Sequence, residues 1–138
     1  MNIDAITNGI VIDHITAGRA MRLYELLGLE ELDCSVAILK NVVSHKKGKK
    51  DIIKIDADIP LNFDAIGYVD PTATVNIIRE GSLVEKRIIG LPETLVNTLY
   101  CKNPRCITSV EQELDHVFRL TDPENAVYRC VYCETKAN

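Results

Sequence analysis

The 138-residue sequence predicts an α+β chain in two parts, a split βαβ sheet domain followed by a small β-rich module held by four cysteines. Three observations carry this. Over residues 9–79, β-branched runs and helix-period segments follow the order strand, helix, strand, strand, helix, strand. Trp is absent and aromatic residues make up only 5%, so the core must rest on Ile, Leu and Val, which suits strands covered by a few helices. Of the five cysteines, all but Cys34 lie beyond residue 95, in two close pairs.

The run Gly9-Ile-Val-Ile-Asp-His14 is short, apolar and β-branched, and reads as a buried strand closed by Asp13 and His14. A helix is expected over 17–27: Ala20, Leu23, Tyr24 and Leu27 recur at i, i+3, i+4 and i+7, Thr16 is a possible N-cap, and Gly28 is placed to end it. Residues 35–44 and 51–57 form two further strands, joined by His45-Lys-Lys-Gly48-Lys-Lys50 as a hairpin with a basic loop. A short helical piece covers 61–69 and stops at Asp70-Pro71, since a residue before proline is pushed out of the helical region. Strands follow at 72–79 and 83–89 around a turn at Glu80-Gly81-Ser82. This order is the ferredoxin-like βαββαβ pattern, in which two helices cover one sheet face and leave the other for solvent, a partner or a ligand. Leu91-Pro92-Glu93 marks a change of character, and the domains are expected at 1–95 and 96–138.

In the second domain the spacing Cys101-x4-Cys106, 23 residues, Cys130-x2-Cys133 supplies two thiolate pairs on separate turns. Four thiolates complete a tetrahedral zinc site with no open position, so one structural zinc per chain is expected. About 40 residues cannot bury enough apolar surface to fold securely alone, and metal binding would supply what that core lacks. Disulfides, or a redox pair at Cys130 and Cys133, are the competing readings that the paired spacing argues against. His116 is set aside as a ligand because four cysteines fill the shell, and Cys34 reads as a free structural thiol.

A net charge of −4 and a pI near 5.4 disfavour a nucleic-acid-binding role. The competing reading, a zinc-ribbon nucleic-acid-binding protein, meets the same objection locally: residues 97–138 hold five Lys or Arg against six Asp or Glu. No secretory signal is expected at the N-terminus and no apolar run approaches the ~20 residues that span a bilayer, so a cytoplasmic chain without membrane partners is expected.

Several groups in the first domain are ligand candidates, each with a plainer alternative. Asp13 and His14 at a strand end can point into a crevice or simply pack. Lys50 and Lys54 share one strand face and can converge on phosphate or form a solvated lysine face. Thr74, Asn76 and Ile78 share a face that suits a base and ribose or an exposed strand, and Lys86 adds a cation on the next strand. Neither a Gly-x-x-x-x-Gly-Lys-Ser/Thr loop nor a Gly-x-Gly-x-x-Gly turn is present, so a nucleotide would be held by side chains. No nucleophile motif or His-Glu-x-x-His site gives catalysis an address.

Gly9-Ile-Val-Ile-Asp-His14, Lys50-Asp-Ile-Ile-Lys-Ile55, Ala73-Thr-Val-Asn76, Leu91-Pro-Glu93 and the two cysteine pairs, in this order, resemble the aspartate carbamoyltransferase regulatory chain over nearly the whole length. The resemblance implies a non-catalytic subunit in pyrimidine biosynthesis. Such chains form homodimers through the allosteric domain and dock on catalytic chains through the zinc domain, and they bind ATP as activator and CTP, often with UTP, as inhibitor. On matching positions, Asp13 would take ribose hydroxyls and His14, Lys54 and Lys86 would meet phosphates or ribose. Ile6 would offer backbone groups to the base, while Lys50, Thr74, Asn76 and Ile78 would line the same cavity. Gly81 and Leu83 depart from the larger or different residues the family carries near the base.

Overall fold

The computed structural model describes residues 6–45 and 48–137; Lys46 and Lys47 of the basic loop lie outside them. The chain divides into two units, 1–90 and 91–138. The division falls before the expected boundary at 95, because residues 94–96 form a strand of the second sheet.

The first unit runs β1 (Gly9–Thr16), α1 (Ala20–Leu26), β2 (Val36–Ser44), β3 (Gly48–Ile55), α2 (Phe63–Val69), β4 (Thr74–Arg79) and β5 (Ser82–Ile88). A 3-10 turn, Leu29–Glu31, follows α1, whose end is set by Gly28 at φ 67, a left-handed conformation that favours glycine. The sheet is antiparallel with order β2-β3-β1-β4-β5. The first four strands have the ferredoxin-like order, and β5 extends the edge through a two-residue turn at Glu80-Gly81, where φ is 54 and 77. The core lies on one face: Ile10, Ile12 and Ile15 of β1, Ile53 and Ile55 of β3 and Val75 of β4 pack with Ala20 and Leu23 of α1 and Ile66 and Val69 of α2.

Two local expectations were displaced by long-range pairing. Asp13-His14 does not close β1. The strand continues to Thr16, and its register with β3 shifts between Ile12 and Ile15. His14, at φ 57, is the left-handed residue at this β-bulge. Strict alternation would have sent His14 into the core and Ile15 out; one extra residue returns Ile15 to the core, fully buried. Thr16 is therefore a strand residue and cannot cap α1, which begins later, after Arg19, without a side-chain cap from its own N-terminus. The cap comes from β3: the buried Asp51 carboxylate accepts hydrogen bonds from the amides of Gly18 (2.9 Å), Ala20 (3.3 Å) and Asn41 (3.0 Å), the last at φ 60 in a second bulge on β2. Asp70, also buried, accepts from the amides of Thr16 and Thr72 and from the Thr72 hydroxyl at 2.6 Å. Burial alone would raise the Asp70 carboxyl; the Thr72 and Thr16 donors more than offset it and hold it below the usual carboxylate range. α2 is capped by its own N-terminus, with Asn62 Oδ1 accepting from the Ala65 amide at 3.1 Å.

The second unit contains β6 (Thr94–Val96), α3 (Ile107–Val110), β7 (Val117–Asp122) and β8 (Val127–Cys130), with the strands in order β6-β7-β8. Its apolar core is small, centred on Leu95, Phe118 and Tyr128, each buried. The Tyr128 hydroxyl donates to the Pro92 carbonyl, which ties the entry of the unit to its last strand.

Candidate ligand pocket and metal centre

Because core residues alternate along each strand of the first unit, their neighbours face away from the helices. Val11 and Asp13 of β1, Ile52 and Lys54 of β3, and Asn76 and Ile78 of β4 thus meet on the open face, where they line a cavity of about 460 Å³. The register explains the convergence: Val11 is the direct partner of Lys54 on one side and of Asn76 on the other. Ile6, Gly81 and Leu83 complete an apolar end. The β4–β5 turn is fixed there by the Gly81 amide donating to the Thr7 carbonyl at 2.9 Å and the Glu80 amide to Asn8 Oδ1 at 3.2 Å. Gly9 has no room for a side chain: a Cβ would lie 2.3 Å from the Ile55 carbonyl oxygen and 2.7 Å from the Ile6 side chain. This close approach lets Ile6 fold against the pocket.

The remaining candidates adjoin this cavity without lining it. Lys50 Nζ lies 2.9 Å from Asp13 Oδ1 with both side chains largely buried, so the bulge and the β3 lysine form an ion pair. His14 Nδ1 is 3.0 Å from Thr74 Oγ1, and the His14 amide donates to Asp13 Oδ1 at 2.6 Å. Lys86 is the direct β5 partner of Asn76. Burial would raise the Asp13 carboxyl, but the Lys50 hydrogen bond and the His14 amide outweigh it and hold the group below the ordinary carboxylate range. Asp13 is thus a charged acceptor paired with Lys50, and Lys54 lines the same cavity, groups that suit a ligand carrying both hydroxyls and negative charge. Asn76 Oδ1 is buried with no hydrogen-bond partner among the described residues, a costly state for an acceptor unless a ligand group or water meets it. Val11 and Ile52 were not singled out from sequence. Their signal was available, since they share the alternation of Asp13 and of Lys50 and Lys54.

In the second unit the Sγ atoms of Cys101, Cys106, Cys130 and Cys133 all lie within 4.8 Å of one another. The closest pairs, Cys101–Cys133 at 3.5 Å and Cys106–Cys130 at 3.7 Å, are far too long for S–S bonds of about 2.05 Å. They match the roughly 3.8 Å edge of a tetrahedron with metal–sulfur arms of about 2.3 Å. The donor set therefore fits a single zinc ion held by four thiolates, which complete its tetrahedral shell without leaving a reactive position. The protons are unevenly held: burial and the neighbouring thiols push Cys101 up to about 12, while the Thr135 hydroxyl and amide hold Cys133 near 6. A bound cation is what allows four thiolates to coexist in this space. His116 is not a ligand. Its Nδ1 accepts from the Cys101 amide at 3.1 Å and its ring meets Tyr100 edge-on, so it orients the first cysteine turn. Thr108 supports the centre similarly, its hydroxyl donating to Cys106 Sγ at 3.1 Å. Neither supporting role was legible from spacing. Cys34 is partly buried against the core of the first unit.

A sheet unit with a pocket on its open face, followed by a unit built around four clustered cysteines, defines a two-part chain with a metal-binding module. The family described as aspartate carbamoyltransferase regulatory chain, allosteric domain, matches residues 1–89, and its metal binding domain matches residues 93–138. Similar chains carry the same description: one from Clostridium botulinum is 47% identical over 134 residues, covering 97% of this chain and 92% of that one. One from Clostridium tetani is 45% identical over 135 residues (97% and 94%), and one from Bifidobacterium longum 39% over 137 residues (99% of each). The chain belongs to the aspartate carbamoyltransferase regulatory chain family, and is a regulatory and not a catalytic chain. The alternative of a nucleic-acid-binding zinc ribbon is not favoured by matches that span both units.

Proposed function

We propose that this chain is the effector-binding, non-catalytic subunit of aspartate carbamoyltransferase in pyrimidine biosynthesis, with ATP and CTP competing for the open-face pocket. The observation that carries the effector assignment is the convergence of Asp13, Lys54 and the unsatisfied Asn76 Oδ1 on one cavity of about 460 Å³, large enough for a nucleoside. Ribose hydroxyls donate to Asp13. The ammonium groups of Lys54, Lys50 and Lys86, with His14, meet phosphates, while Val11, Ile78 and Leu83 pack the base beside the backbone of Ile6. Thr74 holds His14 in place. A second nucleotide such as UTP acts next to the first.

The partners are the catalytic chains of the enzyme. The cysteine unit docks on them, and the sheet unit forms the homodimer. Large apolar residues flank the cysteines, with Tyr100, Ile107, Val131 and Tyr132 all exposed, which supports a docking role for the face that zinc holds together. Among the described residues no helix is long and apolar enough to cross a membrane, and the chain acts in the cytoplasm. Regulation follows from differential affinity: a nucleotide that binds one state of the assembly better stabilises that state by the difference of its two binding free energies.

The deciding experiment is carbamoyl-aspartate formation at subsaturating aspartate by the matching catalytic chains, with and without this chain, in ATP or CTP. The rate responds to nucleotide only when the chain is present, and Lys54→Gln removes the response. A chain that co-elutes with the catalytic subunits yet never confers a response would refute the nucleotide assignments.

A further inference from the structure

Three cations of the second unit stand in one row across its sheet. Arg119 on β7 is the direct partner of Arg129 on β8, and Arg129 is bridged in turn to Lys136. The amides of Cys130 and Ala137 donate at 2.9 Å to the Thr135 and Tyr128 carbonyls on either side of that bridge. Arg129 and Lys136 are therefore a non-hydrogen-bonded pair, the kind whose side chains come closest. Directly opposed residues project to the same face, so two guanidinium groups and one ammonium follow one another at a strand spacing of about 4.8 Å. Lys102 and Arg105 are the only other Lys or Arg residues of 91–138, and acidic residues outnumber the cations there, so the row is not part of a generally basic surface.

Like charges set directly opposite destabilise a sheet. Carboxylates stand near the row without closing on it: Glu134 borders it, Glu93 shares a neighbouring cleft with Arg119 and Asp122 lies within electrostatic reach of Lys136, yet among the described residues none of the three cations is in an ion pair within 4.0 Å. Arg119, Thr121, Arg129 and Glu134 border a cleft of about 60 Å³, the room of roughly two water molecules and hence of one carboxylate group. Arg129 is already oriented, its guanidinium donating to the Glu134 carbonyl at 2.9 Å, so little freedom remains to be lost when an anion arrives.

We propose that this row seats an acidic segment of the catalytic chain, with one Asp or Glu carboxylate held between Arg119 and Arg129. This rests on the reading of the chain as a subunit that docks on catalytic chains, and it adds a charged anchor to the apolar faces beside the cysteines. A nucleic-acid backbone fits less well, because it needs cations repeated along a track and this row ends after three with carboxylates beside it.

The test is the affinity of the full-length chain for the isolated catalytic chains, by titration calorimetry at 50 and 300 mM NaCl. Arg119→Gln and Arg119→Glu are the variants, since Arg129 also holds the Glu134 carbonyl. At low salt Arg119→Gln weakens binding about tenfold and the charge reversal weakens it about a hundredfold, with a shallower salt dependence in both and zinc content and thermal midpoint unchanged. Unchanged affinity and salt dependence in both variants overturns the proposal. So does a row that serves free anions only, seen as inorganic phosphate raising the thermal midpoint of the wild type but not of Arg119→Gln while affinity for the catalytic chains stays the same. A wild-type chain that fails to bind catalytic chains at all removes the docking reading and this proposal with it, which distinguishes the two failures.

Discussion

Replacing Lys50 by Gln separates the charge of the pocket from its shape. Lys50 Nζ lies 2.9 Å from Asp13 Oδ1, and the two side chains are 16% and 19% exposed. A charge-assisted hydrogen bond of this kind contributes about 1.5–3 kcal/mol. Without the ammonium, Asp13 keeps the His14 amide but loses its largest favourable partner, and its carboxyl rises from below the ordinary range. The depressed folded pKa of the wild type means that the Asp13 contribution is fully present above the unfolded value near 3.9 and is lost as pH falls through the lower folded value. The variant is therefore destabilised by about 2 kcal/mol in urea at pH 7, and the difference narrows as acid protonates Asp13. Binding divides by ligand. Under the proposed assignments, ATP loses a phosphate cation and binds about tenfold more weakly, which is 1.4 kcal/mol. Adenosine has no phosphate to lose and finds Asp13 released from its ion pair, so its affinity holds or rises. Calorimetric titration of both ligands at fixed ionic strength decides the matter. Equal losses for nucleoside and triphosphate would refute the reasoning, because Lys50 would then be supporting the pocket and not meeting phosphate.

Asp70→Asn leaves buried amide and hydroxyl donors facing a poorer acceptor and is expected to cost about 2–4 kcal/mol at pH 7. Since the folded Asp70 carboxyl lies below its usual range, the wild-type advantage disappears as pH falls through that value, which acid unfolding followed by circular dichroism would show. Gly9→Ala forces a Cβ against the Ile55 carbonyl; a loss of about 3 kcal/mol or more, together with weakened pocket binding, is expected from denaturant melts and titration. Chelation, or Cys130→Ser, should unfold the second unit and release the catalytic chains, with one zinc per chain measured by elemental analysis before treatment; retained assembly after the metal is gone would contradict this.

Much of the first unit was legible because its signals are local. The β-branched runs, Gly28 after a helical stripe and the Glu80-Gly81 turn each act within a few residues. The metal centre was legible for a related reason, since thiolate pairs at short spacing permit few structures. What escaped was non-local. Asp51 reads in sequence as one charge among lysines, yet it caps α1 and holds the β2 bulge, and only the folded sheet brings those amides to it. The bulge at His14 is legible in hindsight: two polar residues stand between Ile12 and Ile15, and both isoleucines can face the core only if the strand gains a residue. His116 gave no signal, because orienting a cysteine turn requires no particular spacing.

The two units meet the same electrostatic problem in opposite ways. Four thiolates crowded within 4.8 Å are tolerable only with a cation among them, and a tetrahedral ion fills that space completely, so the natural outcome is a permanent structural occupant. On the open sheet face Lys50 and Lys54 stand with Asp13, and the internal Asp13–Lys50 pair neutralises part of that charge. A site with an internal counter-ion can release its ligand without unfolding, whereas a site without one cannot. That difference fits an exchangeable effector on the first unit and a fixed metal in the second, and it explains why removing Lys50 should change which ligands bind while removing Cys130 should remove the fold around it.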